Sequence, residues 1–154
     1  SGRLAGIATL LLDIAKGFLA VWLAARWTGA SIRWTSAAAL AVIAGHAYPV
    51  FLKFRGGKAV ASFIGAFAYL APVPMAAVAL LFIGIVAATR FISLGSILGA
   101  GTFPLAVWLI LHPPWPLMAA SVVAGAFVVY RHRSNLERLH RGSEHVFSFG
   151  GRKI

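Results

Sequence analysis

The sequence predicts an all-α, polytopic integral membrane protein: one domain, residues 1–154, with about six transmembrane helices. Hydrophobic residues make up 60% of the chain and charged residues only 11%, whereas a soluble domain is typically about 25% charged. The apolar residues fall in long runs that short polar or proline-containing connections separate. Lysine and arginine concentrate in alternate connections, as expected for a chain that crosses a bilayer repeatedly.

The charge balance narrows the classes of partner. Fourteen basic residues against three acidic ones give a net charge of +11. On a soluble chain this charge suggests nucleic acid, but the apolar runs could not remain in water. We therefore expect no nucleic acid, and we expect the cations to meet membrane lipid headgroups and phosphorylated substrates. The chain has no cysteine, so it has no disulfide, thiolate nucleophile or cysteine-bound metal. We expect no metal and no cofactor.

Six apolar segments are predicted in order along the chain. They run from about Leu4 to Ala25, Trp34 to Tyr48, Lys58 to Leu70, Val73 to Ala88, Phe91 to Leu111 and Pro116 to Tyr130. The connections between them are the polar stretch Arg26–Arg33, a glycine-containing loop, the turn APVP, the stretch TRFISLGS and the break HPPWP. A basic tail follows the last segment.

The first segment is long enough to span, since roughly 20 residues cover the hydrocarbon core. It contains Asp13 and Lys16, which are three residues apart, share a helix face and can pair. A charge at mid-span costs a few kcal/mol, so this pair should face protein or water. A structural ion pair and a direct role in a site explain it equally well.

The third segment is unusually short. At 1.5 Å per residue, the stretch from Lys58 to Leu70 reaches only about 20 Å. It should lie where the bilayer is thin, extend into its flanks, or fail to cross. In the fifth segment, Gly95 and Gly99 have the small-xxx-small spacing that is typical of helix packing.

The basic residues show a positive-inside asymmetry. Two of them, Arg26 and Arg33, fall on one side of the predicted membrane, and Lys16 lies within a span. The others share the second side: Arg3, Lys53, Arg55, Lys58, Arg90, Arg131, Arg133, Arg138, Arg141, Arg152 and Lys153. This side should be cytoplasmic, and both ends of the chain should lie there.

One candidate anion site is the loop within GHAYPVFLKFRGGKAVA, from Gly45 to Ala61. The pair Gly56-Gly57 allows backbone N–H groups to approach a ligand closely. The next helix should start at about Lys58, so that its N-terminal N–H groups and dipole face the same place. The surrounding cations are Lys53, Arg55 and Lys58. Phosphate is the expected anion, although a loop that only sets orientation explains the charges equally well.

The second candidate constellation is the tail YRHRSNLERLHRGSEH, which should form a helix that leaves the membrane. His132 and Asn135 are three residues apart and share a face. Arg133 and Glu137 should form a surface pair. Gly142 should cap the helix and leave Glu144 beyond it. A solvated basic anchor accounts for the arginines, but it accounts less well for the histidine, asparagine and glutamate.

Taken together, GHAYPVFLKFRGGKAVA, SLGS, YRHRSNLERLHRGSEH and the upstream LLDIAKG resemble the bacterial acyl-phosphate-dependent glycerol-3-phosphate acyltransferases, the PlsY family. The resemblance covers essentially the whole chain. It implies seven spans, of which this chain supplies the last six. The family's first helix and its first motif, which ends in an arginine, should precede Ser1. The 154-residue chain alone should therefore catalyse little.

The resemblance also implies roles for individual residues. The catalytic residues are expected to be His132 and Asn135. The substrate-binding residues are expected to be His46, Lys53, Arg55, Gly56, Gly57, Lys58, Arg90 and Ser93. Support for the site is expected from Asp13, Lys16 and Glu144, and the DxxKG match includes Gly17.

The implied reaction transfers an acyl group from acyl-phosphate to glycerol-3-phosphate, in bacterial phospholipid synthesis at the cytoplasmic membrane. Phosphate is a good leaving group, so positioning and charge stabilisation should suffice. We expect direct attack by the glycerol-3-phosphate hydroxyl without a covalent enzyme intermediate. Either His132 or a substrate phosphate can serve as the base.

Two other classes compete with the enzyme. A small transporter or exporter subunit would use Asp13 and Lys16 in a polar path through the bilayer. A structural membrane subunit would have no use for the glycine loop together with a distant histidine and asparagine. The polar residues gather at one predicted membrane face, which favours the enzyme.

Overall fold

The computed structural model describes residues 2–49 and 56–147. Within these ranges the secondary structure consists of seven α-helices without a β-strand, which confirms the predicted fold class. The helices are α1 Arg3–Thr28, α2 Ile32–Ala47, α3 Val60–Leu70, α4 Pro72–Thr89, α5 Ile92–Leu111, α6 Trp115–Arg131 and α7 Arg133–His140. All six apolar segments are helical, and α7 is the predicted tail helix.

Several connections are shorter than the sequence predicted. Helix α1 continues through Arg26 to Thr28 and ends at Gly29, whose φ of 62° is left-handed, so the predicted loop contracts to three residues. The predicted four-residue turn APVP was wrong, because α4 already begins at Pro72. Proline suits the first helical position, where its missing N–H needs no partner.

Three helices, α1, α4 and α5, are long and apolar enough to cross a membrane. Helix α3 has 11 residues and reaches only about 16 Å, which confirms that this segment is short. Most of it is buried, including Ser62, Phe63, Ala66 and Phe67, and it contacts α1, α2, α4 and α6. A helix covered by other helices does not need the length that lipid exposure demands.

The α3 position depends on a close crossing with α1. A Cβ atom at Gly17 would collide with the backbone at Ser62, and a Cβ atom at Gly65 would collide with the backbone at Ile14. The two glycines therefore let the two helix backbones touch. The predicted packing role of Gly95 and Gly99 is also confirmed, since both face α4 side chains.

Helix α3 is also joined to α5 by aromatic packing. The ring of Phe103 lies 5.1 Å from that of Phe63 and 4.7 Å from that of Phe67, centroid to centroid. All three side chains are buried. This cluster packs α3 against α5.

The polar connections meet at one end of the bundle. Arg131 at the end of α6 donates hydrogen bonds to the carbonyls of Gly56 and Gly57 before α3. The N–H of Phe147, beyond α7, donates to the carbonyl of Arg90 at the end of α4, at 2.8 Å. The structure thus places the glycine loop, the Arg90 connection and the tail together, as predicted. That this end faces the cytoplasm stays a prediction.

We expect Gly65→Ala to destabilise the folded protein by at least about 1–3 kcal/mol, because overpacking at a close crossing forces the backbones apart. The measurement is the thermal unfolding midpoint in detergent. The matched control is Gly84→Ala, because a Cβ atom at Gly84 meets nothing within 4 Å. Equal midpoints for the two variants would contradict the close crossing of α1 and α3.

Candidate functional site

A large cavity opens among α1, α3, α4 and α5 at the polar end of the bundle. Its volume is about 760 Å³. Most of its lining is apolar, with side chains such as Ile14, Ile64, Val78 and Phe82. Its polar lining groups are Lys58, Ser93, Ser96, His132, Asn135, Glu144 and His145. The cavity can therefore take an amphipathic molecule with a long apolar part and a polar reacting end.

His132 lies between α6 and α7 and is 2% exposed. Its Nδ1 is 2.8 Å from the carbonyl oxygen of Val128. A carbonyl only accepts hydrogen bonds, so Nδ1 carries the proton and Nε2 of the neutral ring is an acceptor. Burial lowers the pKa of His132 and outweighs the opposing effect of the Val128 carbonyl, and the charge of Lys58 lowers it further. The ring therefore favours the neutral form that can accept a proton.

Asn135 lies one helical turn beyond His132 and is 3% exposed. Its Nδ2 donates to Oε1 of Glu144 at 3.0 Å. This bond turns Oδ1 the other way, and Oδ1 is buried without a hydrogen-bond partner in the described part of the chain. A buried acceptor without a partner costs about 1–3 kcal/mol, which a ligand donor would recover.

Glu144 is brought back to the cavity by the end of α7. Gly142 has a φ of 68°, and the N–H of Ser143 donates to the carbonyl of Arg138 at 2.8 Å. This Schellman-type turn reverses the chain, and the predicted role of Gly142 in ending the helix is confirmed. Arg138, which the sequence did not suggest as a site residue, donates from Nε to Oε2 of Glu144 at 3.0 Å.

The carboxylate of Glu144 is kept ionised. Burial acts to raise the pKa of Glu144, but the hydrogen bond from Asn135 and the charge of Arg138 outweigh burial and hold the pKa below its ordinary value. The hydroxyl of Ser93 lies near enough to lower this pKa slightly, yet it makes no hydrogen bond of normal geometry within the described residues. The hydrogen bonds from Arg138 and Asn135 to Glu144 thus fix the orientation of the Asn135 side-chain amide.

A second, cationic cavity of about 350 Å³ adjoins the glycine loop. Its lining residues are Gly56, Gly57, Lys58, Arg131, Arg133 and Ser134. Lys58 lines both cavities, so its positive charge can interact with a ligand in either cavity. Arg131 was missed as a site residue, because nothing in its local sequence shows that it reaches a loop far away along the chain.

The glycine loop differs in detail from the prediction. The N–H of Gly56 donates to the carbonyl of Ala47 at 3.1 Å and is therefore not available to a ligand. A Cβ atom at Gly56 would lie 2.5 Å from Cδ of Pro49 and 2.6 Å from the Ala47 carbonyl oxygen, so close packing already requires glycine here. Helix α3 starts at Val60 rather than at Lys58. Lys53 and Arg55 lie outside the described residues.

The predicted pair in α1 is confirmed: Lys16 Nζ is 2.7 Å from Oδ1 of Asp13. His46 joins this pair, with its Nδ1 3.0 Å from Lys16 Nζ and 3.4 Å from Asp13 Oδ1. None of the three lines either cavity. A Cβ atom at Gly57 would lie 2.9 Å from Nε2 of His46. The cluster of Asp13, Lys16 and His46 therefore packs against the glycine loop through His46.

Two other predicted features are placed differently. The side chain of Arg90 is exposed and lines neither cavity. The predicted pair between Arg133 and Glu137 was wrong, because Arg133 instead lies over the ring of Tyr130, 4.8 Å from its centroid. Among the described residues, no group of three or more histidine, aspartate or glutamate side chains could hold a metal ion.

Comparison with known proteins gives consistent matches. A family model described as glycerol-3-phosphate acyltransferase matches residues 1–142. A glycerol-3-phosphate acyltransferase of Geobacter sulfurreducens is 44% identical over 146 residues, which cover 95% of this chain and 74% of the relative. One of Desulforamulus reducens is 39% identical over 153 residues, covering 99% of this chain and 74% of the relative.

Solved structures match as well. The crystal structure of PlsY, an integral membrane glycerol 3-phosphate acyltransferase, in its lysphosphatidic acid form has a TM-score of 0.88 and 34% identity. The match covers 96% of this chain and 74% of that one. The glycerol 3-phosphate form of PlsY also has a TM-score of 0.88.

Proposed function

This chain belongs to the glycerol-3-phosphate acyltransferase family, and from that premise we propose that it transfers an acyl group from acyl-phosphate to glycerol-3-phosphate. The attacking hydroxyl oxygen forms an ester bond to the acyl carbon and loses its proton. The bond from that carbon to the phosphate oxygen breaks. The products are lysophosphatidate and phosphate. We place the reaction at the cytoplasmic face of the bacterial inner membrane, where the basic connections should lie.

The observation that carries this proposal is the polarity of the large cavity. Its apolar part suits an acyl chain, and its polar end holds acceptors from two buried residues, Nε2 of His132 and Oδ1 of Asn135. Glycerol-3-phosphate carries two neighbouring hydroxyl groups, each of which donates one hydrogen bond. We assign the attacking hydroxyl to His132 and the other hydroxyl to Asn135. Such fixed contacts orient a nucleophile towards the acyl carbon.

The phosphate groups are assigned to the cations. Lys58 lies where the two cavities meet, so it can contact the phosphate that leaves the acyl group as well as glycerol-3-phosphate. The cationic cavity beside the glycine loop suits the acyl-phosphate. Positive charge placed where negative charge develops lowers the barrier to the reaction. His132 and a substrate phosphate both remain candidates for the base.

The transporter alternative receives less support. It requires a polar path through the bilayer, whereas the large cavity becomes apolar between α4 and α5 away from Ser93 and Ser96. The intramembrane pair of Asp13 and Lys16 contacts His46 beneath the glycine loop and lines neither cavity. The polar groups are gathered for a reaction at one end of the bundle.

The direct test is acyl transfer from palmitoyl-phosphate to radiolabelled glycerol-3-phosphate in membranes that contain the protein. The chain should be assayed alone and behind the N-terminal segment that the family resemblance implies, because it spans 74% of its relatives' length. We expect labelled lysophosphatidate from the extended protein and little from the chain alone. Palmitoyl-CoA serves as the comparison donor. Failure of both forms with palmitoyl-phosphate would refute the proposal.

The buried histidine predicts a pH dependence. Because burial lowers the pKa of His132 below its ordinary value of 6.5, the neutral ring persists to a lower pH than a free imidazole does. We expect kcat/KM to fall as the solution becomes more acidic, with a midpoint below pH 6.5. Phosphate groups also titrate near pH 6. The control is His132→Gln, because any pH dependence that remains in this variant comes from the substrate phosphates. A wild-type midpoint above pH 6.5 would contradict this assignment.

A further inference from the structure

Arg131 contacts the glycine loop in a way that the proposed catalytic steps do not use. Its Nη2 donates to the carbonyl oxygen of Gly56 at 3.0 Å and to that of Gly57 at 2.9 Å. Its guanidinium carbon lies 4.9 Å from the centroid of the Tyr48 ring, at the end of α2. One side chain therefore joins α6, α2 and two successive peptide units of the loop.

Planar peptide geometry turns these two contacts into a constraint on the N–H groups. In a trans peptide the C=O and N–H bonds point in opposite directions, and no cis peptide occurs in the described residues. The carbonyl of Gly56 belongs to the same unit as the N–H of Gly57. The carbonyl of Gly57 belongs to the same unit as the N–H of Lys58. With both carbonyls held by Arg131, both N–H groups point away from the guanidinium.

The loop is held from its other side too. The N–H of Gly56 donates a hydrogen bond to the carbonyl of Ala47, and the Nε2 atom of His46 lies close to Gly57. The two peptide units therefore have little freedom to rotate once Arg131 is in place. The positive guanidinium at the carbonyl end also polarises both units, which makes their N–H groups stronger donors.

We propose that Arg131 is a positioning residue for acyl-phosphate: by holding the carbonyls of Gly56 and Gly57, it directs the N–H groups of Gly57 and Lys58 at the donor phosphate. This inference rests on the proposed function, since it assigns the loop to the donor. Arg131 also lines the cationic cavity, but its Nη2 is engaged with the two carbonyls, so this group acts on the substrate through the loop. Removing its side chain weakens the donor site and leaves the hydroxyl contacts of His132 and Asn135 in place.

The test compares Arg131→Gln and Arg131→Lys with the wild-type enzyme in the acyl-transfer assay, each in the extended form that carries the added N-terminal segment. We expect Arg131→Gln to raise the KM for palmitoyl-phosphate about tenfold or more, as expected for the loss of charge-assisted hydrogen bonds. The inhibition constant of inorganic phosphate should rise in parallel, and the KM for glycerol-3-phosphate should change much less. Lysine keeps the charge but not the planar fork or the stacking, so its effect should be intermediate.

The matched control is Arg141→Gln, because Arg141 is exposed at the same end of the bundle and lines neither cavity. It should behave as the wild type. Equal rises in both KM values, or unchanged KM values with less folded protein, would show that Arg131 is only a structural anchor.

The outcomes separate the two proposals. If Arg131→Gln does not fold, Arg131→Lys decides by the same comparison of KM values. If the wild-type enzyme makes no product from palmitoyl-phosphate, the proposed function fails. If the wild-type enzyme is active and Arg131→Gln behaves like it, only the role of Arg131 fails.

Discussion

Replacing His132 with alanine should reduce kcat for acyl transfer by roughly 10²- to 10⁴-fold, the usual contribution of a positioned general base. The ring is buried, its Nδ1 proton is committed to the Val128 carbonyl, and only Nε2 is left to meet the attacking hydroxyl. Alanine removes that acceptor. The measurement is single-turnover transfer from palmitoyl-phosphate, which separates the chemical step from substrate binding.

Two further variants make this result specific. His140→Ala is the control, since His140 ends α7, is exposed and lines neither cavity. His132→Gln keeps a hydrogen-bond acceptor, but the glutamine amide cannot take up a proton near neutral pH. Strong recovery of activity in His132→Gln would assign the base to a substrate phosphate and leave His132 the task of orientation. Wild-type activity in His132→Ala would remove His132 from the mechanism.

The polar end of the large cavity was partly predictable. His132 and Asn135 are three residues apart, and this spacing alone placed them on one face of a helix. The sequence also suggested that Gly142 ends α7. It did not show that the turn at Gly142 carries Glu144 back to Asn135, or that Arg138 holds the carboxylate. These contacts depend on the direction of the chain after the turn, which spacing does not encode.

The helices were more predictable than their surroundings. A bilayer leaves helices as the simplest way to satisfy every backbone group, so long apolar runs predicted all six segments. In such runs, however, apolar side chains face lipid and protein alike, and the pattern does not separate the two faces. The burial of short α3 among its neighbours was therefore not predicted, although its shortness was.

The glycine loop shows a second limit. The sequence suggested an anion site at Gly56 and Gly57 from local composition. The structure adds a steric reason for Gly56 and a contact from Arg131, about 75 residues further along the chain. No local pattern in one sequence reports a contact over that distance.

Lys58→Met should raise the KM for both substrates, each by about tenfold to a hundredfold, because a charge-assisted contact is worth roughly 1.5–3 kcal/mol. Lys58 is the cation that lines both cavities in the described chain. Partial burial and the neighbouring charge of Arg138 lower the pKa of Lys58, although the residue is exposed. A phosphate group bound beside Lys58 would favour its charged form. The measurement is a full two-substrate kinetic analysis.

The pattern of the KM values decides between two geometries. If one phosphate alone contacts Lys58, only one KM will rise, and the two cavities then do not share this charge. If both KM values rise, the two phosphates approach the same ammonium group. That group would then also hold acyl-phosphate near glycerol-3-phosphate. Lys58→Arg keeps the charge and should lose less than Lys58→Met, whereas Arg141→Met should change neither constant. Unchanged constants in Lys58→Met would contradict the placement of both phosphates, since no other described cation lies between the cavities.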